Sequence, residues 1–477
     1  MKTEEKTLLT LSAPCLRALC APEGPNGVTI PRKSAHRSSG RASIPFIHSH
    51  IMQMFSDRVH GTTVSFSELK KKIRAALSTR SNFGPAFRME RIGENQGFLS
   101  ITVRIYFDWV GDDAQLLPDT LVLKIPSTAA MIRNIQAGSE EVIREQHARL
   151  AMILDVGHVS EVSFYAMASR EGLFTTLKIP PCIRAQHFRR KGSESGYLLL
   201  GDVRHSIIRP LWAGLREAQV KAILEQLAKL HAFSLTNEMW RNGAGKIFRS
   251  TFLEVQKAYP EITRARIGKA IAQLNRDFGV WFMRANGRNL LSALAEVVDD
   301  QLLNFNGDLV HANSGMPPVL VHGDLWTNNV MWDLTEHGVD SDNLVAIIDW
   351  QNVHAGNVAE DLVRLLGSSC SPRLRRGGLH RFVSHYLSCL SLELRRKGHF
   401  SLPFTHQQIV NAYERMFGQG LLIMLPSLNA CADEGNGLLG GGPEENRLER
   451  QALVLERTRA LIEDFLAFRA KHLLTFP

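Results

Sequence analysis

The chain has 477 residues, of which 44% are hydrophobic and 22% are charged, a composition typical of a soluble globular protein with one or two domains. The net charge is +9, but residues 1–45 alone carry seven Lys and Arg against three acids, and the mildly basic remainder argues against nucleic-acid binding. No apolar run approaches the ~20 residues of a membrane-spanning helix, and the N-terminus lacks a convincing signal segment, so we expect a cytoplasmic protein that does not bind membranes.

The six cysteines are scattered along the chain and form no C-x-x-C pair; they stand at positions 15, 20, 182, 370, 389 and 431. This spacing is typical of reduced thiols and indicates neither a disulfide framework nor a zinc site.

The chain divides into three predicted regions. Residues 1–45 are rich in Ser, Pro, Gly and Arg and have no hydrophobic period, which predicts a disordered basic extension. Residues 46–200 contain the predicted strands and form a first lobe, whereas residues 201–477 are mainly helical and form a second.

Two strands stand out in the first lobe. Residues 99–107 alternate strictly between apolar and polar side chains, which predicts a strand with one buried face. It is preceded by Gly93 and Gly97, a spacing that suits either a loop whose backbone amides face phosphates or an ordinary hairpin turn. The next strand, residues 121–125, places Lys124 on the face opposite Leu121 and Leu123.

Helical patterns follow these strands. A helical segment at 129–154 carries Glu140, Glu141 and Glu145, and the segment after it contains Glu161. An apolar run at 197–200 predicts a buried strand that ends at Gly201-Asp202. Apolar residues at helical spacing then predict an amphipathic helix over 220–233, and helical patterns recur at 360–366, 380–397, 405–417 and 449–470.

The densest group of polar residues lies in the stretch 318–351. Two strand-like runs, 330–332 and 345–348, are joined by an acidic connection and predict an antiparallel hairpin. Asn329 stands just before the first run and Asp349 just after the second, so the hairpin brings an amide oxygen and a carboxylate together. Such a pair suits Mg²⁺, which takes one or two carboxylates plus substrate phosphates, and Asp324 is then free to accept a proton from a hydroxyl. A plain hairpin with solvated acids is the alternative.

The motif His322-Gly-Asp324-x-x-x-x-Asn329, followed by Ile-Asp349-Trp-Gln, resembles the active site of the aminoglycoside phosphotransferase and choline kinase superfamily. The form HGDLWTNN with IDWQ resembles its ecdysteroid kinase-like branch. The resemblance implies that Asp324 is the catalytic base, that Asn329 and Asp349 bind the metal, and that His322 braces the loop. It also implies an α+β, protein-kinase-like, two-lobed fold, in which a small antiparallel β lobe with a regulatory helix precedes a larger, mainly helical lobe.

The same resemblance extends to the nucleotide site. It implies that Lys124, with the loop from Gly93 to Gly97, binds the phosphates of ATP. A similar E-x-x-F-Y segment in the family implies that Glu161 pairs with Lys124, although Glu140, Glu141 and Glu145 compete on spacing alone. At the hinge, where the family usually has E-D-L, this chain has Gly201-Asp202-Val203, which keeps only the second acid. The resemblance implies that this acid, Asp202, contacts the nucleotide.

These observations predict an ATP- and Mg²⁺-dependent kinase that transfers the γ-phosphoryl group to a hydroxyl of a small molecule. The resemblance points to a steroid alcohol, a choline-like compound or a xenobiotic as the acceptor. The competing hypothesis is an inactive pseudokinase that binds a ligand or a partner. Asp361, at the start of a later helix, is expected to stabilise that helix or to brace the catalytic loop.

Overall fold

A computed structural model describes residues 9–10, 57–93, 99–127, 140–188, 195–241, 248–298, 314–432 and 446–473. The predicted disordered extension therefore lies outside the described residues, apart from Leu9–Thr10, which form a short strand. By their contacts, the residues divide into two units, Met1–Ala130 with Pro181–Asp202 and Met131–Pro180 with Val203–Pro477, and each unit is described by itself.

The first unit is built on antiparallel strands. These are β1 (Leu9–Thr10), β2 (Asn82–Phe83), β3 (Arg88–Ile92), β4 (Ser100–Tyr106), β5 (Trp109–Val110), β6 (Thr120–Pro126), β7 (Cys182–Gln186) and β8 (Tyr197–Gly201). Six of them form one sheet in the order β1-β7-β8-β6-β4-β3, and β2 pairs with β5. The alternation that predicted β4 is confirmed, because its residues alternate between buried and partly exposed along the strand.

Helix α1 (Phe66–Ala76) begins where the Ser65 side chain accepts a hydrogen bond from the Glu68 N–H, a standard N-cap. Its buried residues include Leu69 and Ile73, which lie four positions apart and therefore share one face of the helix. The helix packs near β7, where the Lys72 ammonium donates to Gln186 Oε1 at 2.8 Å.

The second unit is mainly helical. Its helices are α2 (Glu140–Arg170), α3 (Glu217–Thr236), α4 (Thr251–Ala258), α5 (Pro260–Phe278), α6 (Leu290–Val297), α7 (Val358–Ser369), α8 (Pro372–Arg396), α9 (His406–Ala432) and α10 (Arg447–Leu473). Helix α3 packs along α8, while α9 packs between α7 and α10. The core is formed by apolar residues of these packed helices, such as Ile223 and Leu227 of α3 and Phe382 of α8.

Two small sheets in the second unit carry the loops of interest. Strands β10 (Val319–Val321) and β13 (His354–Gly356) pair antiparallel. Strand β11 (Val330–Leu334) lies between β12 (Asp340–Ile347) and β9 (Ser206–Ile208). Because β10 is buried at all three residues, the loop that follows it starts from a fixed position in the core.

The architecture confirms the predicted α+β class, with a small antiparallel sheet unit and a larger helical unit. One assignment differs from the sequence-based division: helix α2, which carries Glu161, belongs by its contacts to the second unit. Its Phe164 ring stacks on Trp350 with ring centroids 4.0 Å apart, which explains the assignment. Among the described helices, none has the length and apolar character that a membrane crossing requires.

Candidate active site

The hairpin predicted between residues 330 and 348 is present. Val330 of β11 lies opposite Ile347 of β12, and the Ile348 N–H donates to the Asn329 carbonyl at 2.9 Å. Asn329 therefore lies at the start of β11 next to the end of β12, where Asp349 follows. A local turn thus brings together two polar residues that are twenty positions apart in the sequence.

Asp324 lies in the loop between β10 and β11 and is buried. Its Oδ1 accepts two hydrogen bonds from one guanidinium, from Arg364 Nε at 3.0 Å and from Arg364 Nη2 at 2.8 Å. Asn329 Nδ2 donates to the Asp324 carbonyl at 2.8 Å and lies 3.4 Å from Asp324 Oδ2. One carboxylate oxygen is therefore held by the arginine, while the other faces the amide of Asn329.

The electrostatic environment of Asp324 is mixed. Burial raises the pKa of its carboxyl to about 6, the Arg364 guanidinium opposes this rise, and the nearby charge of Asp349 adds to it. A carboxyl with a pKa near neutrality is well suited to proton transfer at physiological pH.

His322 connects the end of β12 to this loop. Its Nε2 lies 2.9 Å from the Ile348 carbonyl, and its Nδ1 accepts from the Asp324 N–H at 3.2 Å. These two contacts define a neutral ring with the proton on Nε2. The ring is fully buried and lies against Trp350, with centroids 4.5 Å apart, so its contacts fix the loop conformation.

Asp361 holds the same loop from helix α7. Its two carboxylate oxygens accept from the backbone N–H groups of His322 at 2.8 Å and of Gly323 at 2.9 Å. Burial raises the pKa of Asp361 to about 6, and these two hydrogen bonds oppose the rise. These contacts are the ones expected of a residue that braces the catalytic loop, which is one of the two roles that the sequence suggested for Asp361.

The backbone at position 323 accommodates only glycine. It has φ +79°, and a Cβ here would overlap the carbonyl oxygen of Asn352. Both the left-handed conformation and the close backbone approach exclude larger residues.

The start of helix α7 is secured by polar contacts. Asn357 caps the helix by accepting from the Ala359 N–H at 2.9 Å, and Glu360 Oε1 accepts from the Asn357 N–H at 2.7 Å, which is a capping box. The other oxygen of Glu360 lies 2.9 Å from His354 Nε2. Burial lowers the pKa of His354, but the Glu360 carboxylate, the Asn352 carbonyl and the charge of Asp361 together outweigh burial, and the pKa is raised. Helix α7 is therefore firmly placed, and so are Asp361 and Arg364 on it.

The residues at the end of the hairpin fit a hard divalent cation. The NH₂ group of Asn329 donates to the Asp324 carbonyl, so the amide oxygen of Asn329 is the atom that could coordinate a metal ion. Asp349 adopts φ 67°, and Gln351 Nε2 donates to its Oδ2 at 3.2 Å. An amide oxygen and a carboxylate are the hard ligands that Mg²⁺ prefers.

The remaining predicted residues lie on several elements. Glu161 is buried on α2 of the second unit. In the first unit, Lys124 lies on β6 between Thr102 and Leu198 of the neighbouring strands. Gly93 follows β3 with φ +68°, whereas Gly97 lies outside the described residues.

Asp202 has a structural partner. It follows β8 and forms an ion pair with Arg104 of β4, with Arg104 Nε 2.9 Å from Asp202 Oδ2. The Asp202 side chain is only 3% exposed. This carboxylate therefore neutralises a cation inside the first unit, and its predicted contact with nucleotide stays a prediction.

Arg364 is the main residue that sequence reasoning missed. Its signal is an arginine within the otherwise apolar run LVRLL, one helical turn after Asp361. Residues three apart share a helix face, and a charged residue on a buried face needs a partner. The sequence could therefore have predicted that Arg364 is buried against an acid, but not which acid that is.

A family model described as "Uncharacterized oxidoreductase dhs-27" matches residues 54–473. The chain is similar to the Caenorhabditis elegans protein of that name, with 27% identity over 329 residues, which cover 67% of this chain and 37% of the relative. It is also similar to the "Uncharacterized kinase-like protein D1044.1" of Caenorhabditis elegans, with 26% identity over 263 residues, which cover 53% of this chain and 61% of that protein. The chain therefore spans less than two thirds of either relative.

Among solved structures, the chain resembles choline kinase from Cryptosporidium parvum. The likeness covers 86% of this chain and 95% of the other, at 11% identity and a TM-score of 0.43.

Proposed function

The chain belongs to the family described as "Uncharacterized oxidoreductase dhs-27", and within that family we propose that it is a small-molecule phosphotransferase. It would transfer the γ-phosphoryl group of ATP to a hydroxyl of a small acceptor. The observation that carries the proposal is the arrangement around Asp324: a buried carboxylate with one oxygen held by Arg364 and the other near Asn329, beside the charge of Asp349.

Each residue of this arrangement has a role in phosphoryl transfer. Asp324 would accept a hydrogen bond from the acceptor hydroxyl and take its proton as the bond to phosphorus forms. Asn329 and Asp349 would hold Mg²⁺, which neutralises phosphate charge when bound. His322 and Asp361 would keep the loop in place, so that the hydroxyl is oriented towards the phosphorus atom.

The ion pair with Arg364 is compatible with this role of Asp324. The transition state of phosphoryl transfer is loose in most analyses, so the carboxylate mainly orients the nucleophile. A guanidinium that binds one oxygen through two N–H groups fixes the orientation of the carboxylate. The second oxygen remains available to the acceptor.

The names of the two relatives point to different reactions. "Oxidoreductase" belongs to a protein of which this chain covers only 37%, so the name need not describe the matched part. The chain has one G-x-G-x-x-G run, at residues 435–440, but it follows helix α9 along the chain. A dinucleotide-binding fingerprint follows a strand and opens a helix. The second relative is named kinase-like, which agrees with the geometry of the site.

The finer assignments rest on the resemblance found in the sequence. They are ATP as the donor, Lys124 and the loop from Gly93 to Gly97 as phosphate ligands, and Glu161 as the partner of Lys124. The ecdysteroid kinase-like resemblance favours a steroid alcohol as the acceptor, and a choline-like compound or a xenobiotic is the alternative.

The test is transfer of label from γ-labelled Mg·ATP into a small-molecule extract of the source organism. We expect a labelled product with the wild type and none with Asp324→Asn, which keeps the size of the side chain but removes its basicity. Equal labelling by both proteins would show that Asp324 is not the base. Intact binding of Mg·ATP without any product would favour the inactive alternative. Oxidation of NAD(P)H that requires both the protein and the extract would favour an oxidoreductase.

A further inference from the structure

Helices α3 and α8 pack against each other, and one edge of their interface is polar. Glu217 of α3 accepts from Arg381 of α8 at 3.1 Å. Eight residues further along α3, Glu225 meets His385 and Cys389 of α8. The second group differs from an ordinary ion pair, because it combines a carboxylate, an imidazole and a thiol.

We propose that Glu225, His385 and Cys389 form a zinc-binding site that joins helices α3 and α8. The site is separate from the phosphotransfer residues and does not depend on the proposed function.

The distances between the potential ligand atoms suit a tetrahedral ion. His385 Nε2 lies 3.7 Å from Cys389 Sγ and 3.5 Å from Glu225 Oε1, and all three ligand atoms lie within 4.8 Å of one another. Bonds of about 2.0 Å to nitrogen or oxygen and about 2.3 Å to sulfur place the ligands of a tetrahedral zinc ion roughly 3.3 to 3.8 Å apart. The two separations from His385 Nε2 fall within this range.

The distance between His385 and Glu225 is long for a direct hydrogen bond. A hydrogen bond between imidazole nitrogen and carboxylate oxygen is usually 2.7–3.2 Å long, whereas His385 and Glu225 are 3.5 Å apart. In the same structure, His354 lies only 2.9 Å from Glu360, so a close pair of this type is possible in this fold. The wider spacing leaves room for an ion between the ligands.

The backbone keeps the ligands in place. His385 and Cys389 are four residues apart on α8, so their side chains project from the same face, one turn apart. Glu225 is presented by α3, which packs along α8 through buried apolar residues. The side chain of Glu225 is 51% exposed and that of His385 is 26% exposed, so an ion can enter from solvent and keep a water molecule as its fourth ligand.

The ligand types select the metal. A thiolate with an imidazole favours Zn²⁺ over the hard cations Mg²⁺ and Ca²⁺. The sequence shows no zinc signature, because the carboxylate lies 160 residues before His385 and 164 residues before Cys389.

The test uses the whole chain and reads metal binding directly. After incubation with Zn²⁺ and desalting, we expect the wild type to retain one ion per chain by mass spectrometry of the metal. With Co²⁺ in its place, we expect a thiolate-to-cobalt charge-transfer band and the intense visible bands of a tetrahedral ion. Cys389→Ser should lose the charge-transfer band, and His385→Gln and Glu225→Gln should each retain less zinc.

Two matched variants control for changes to the helices. Glu217→Gln removes a carboxylate two turns earlier on α3, and Ser388→Ala changes the neighbour of Cys389; both should bind zinc as the wild type does. Circular dichroism establishes that each variant is folded. Failure of the folded wild type to retain zinc would overturn the proposal, as would a charge-transfer band that persists in Cys389→Ser.

Discussion

The guanidinium of Arg364 donates two hydrogen bonds to a single oxygen of Asp324, with Nε at 3.0 Å and Nη2 at 2.8 Å from Oδ1. Both side chains are buried, at 7% and 11% exposure, and the guanidinium also lies 5.0 Å from the centre of the Trp326 ring. A buried charged pair of this kind fixes orientation, and removal of one partner leaves the other charge unpaired.

Replacement of Arg364 should therefore impair phosphoryl transfer more than nucleotide binding. Arg364→Gln should lower kcat on the order of a hundredfold, because the Asp324 carboxylate loses its fixed orientation, while KM for Mg·ATP changes little. Arg364→Lys should recover only part of the rate, since lysine lacks the planar fork. Steady-state kinetics measures both effects.

Arg375 provides the matched control for this prediction. It is another buried arginine of the second unit, paired with Asp464. Arg375→Gln should lower the melting temperature but leave kcat unchanged. An equal loss of kcat in both variants would show that Arg364 acts only through stability.

The pH dependence of the reaction should follow Asp324. Because its pKa is raised to about 6, the fraction in the ionised, active form grows as the pH rises through about 6. kcat/KM for Mg·ATP, which reports the enzyme before nucleotide binds, should rise over this range and level off above it. In Arg364→Gln the rise should move to higher pH, because the guanidinium opposes the upward shift. An unchanged profile in the variant would assign the titration to another group, such as Asp361.

Asn329 and Asp349 should determine the metal requirement. Asp349→Ala and Asn329→Ala should each raise the Mg²⁺ concentration that half-saturates ATP binding, by about tenfold or more. Isothermal titration at several Mg²⁺ concentrations measures this change. Asp333→Ala, on the neighbouring strand β11, is the control and should leave the requirement unchanged; unaltered Mg²⁺ dependence in Asp349→Ala would contradict its metal role.

Removal of the Asp361 carboxylate should release the catalytic loop. Asp361→Asn keeps one acceptor oxygen but turns an NH₂ group towards a backbone N–H, so one buried donor of His322 or Gly323 loses its partner. The unpaired donor should lower the free energy of unfolding by about 1–3 kcal/mol. The kcat should also fall, because Asp324 directly follows Gly323 in the loop. Denaturant unfolding and kinetics test the two effects, and full stability in Asp361→Asn would contradict the bracing role.

Gly323 should tolerate no side chain. Gly323→Ala must adopt φ +79° and overlap the Asn352 carbonyl, so its free energy of unfolding should fall by more than the roughly 1–2 kcal/mol that the left-handed conformation alone costs. Gly338, in the turn of the hairpin, is the control: its φ is +73°, but no atom lies within 4 Å of the position that a Cβ would take. Equal losses in Gly323→Ala and Gly338→Ala would show that the overlap relaxes freely.

The sequence by itself determined the parts of the site that lie close together along the chain. Residues 318–351 specify a hairpin through two apolar runs and a polar turn, and strand pairing then brings Asn329 next to Asp349 whatever the rest of the chain does. The strict alternation of residues 99–107 likewise predicted β4, because the period of a buried strand is a local property.

The tertiary structure decided the contacts between elements. Arg364 reaches Asp324, and Asp361 reaches Gly323, only because packing places helix α7 beside the loop after β10. Glu225 meets His385 and Cys389 for the same reason, since the packing of α3 along α8 brings together residues 160 positions apart. Helix periodicity shows which residues share a face, but the partner of that face depends on how the whole core packs, and no local pattern encodes that choice.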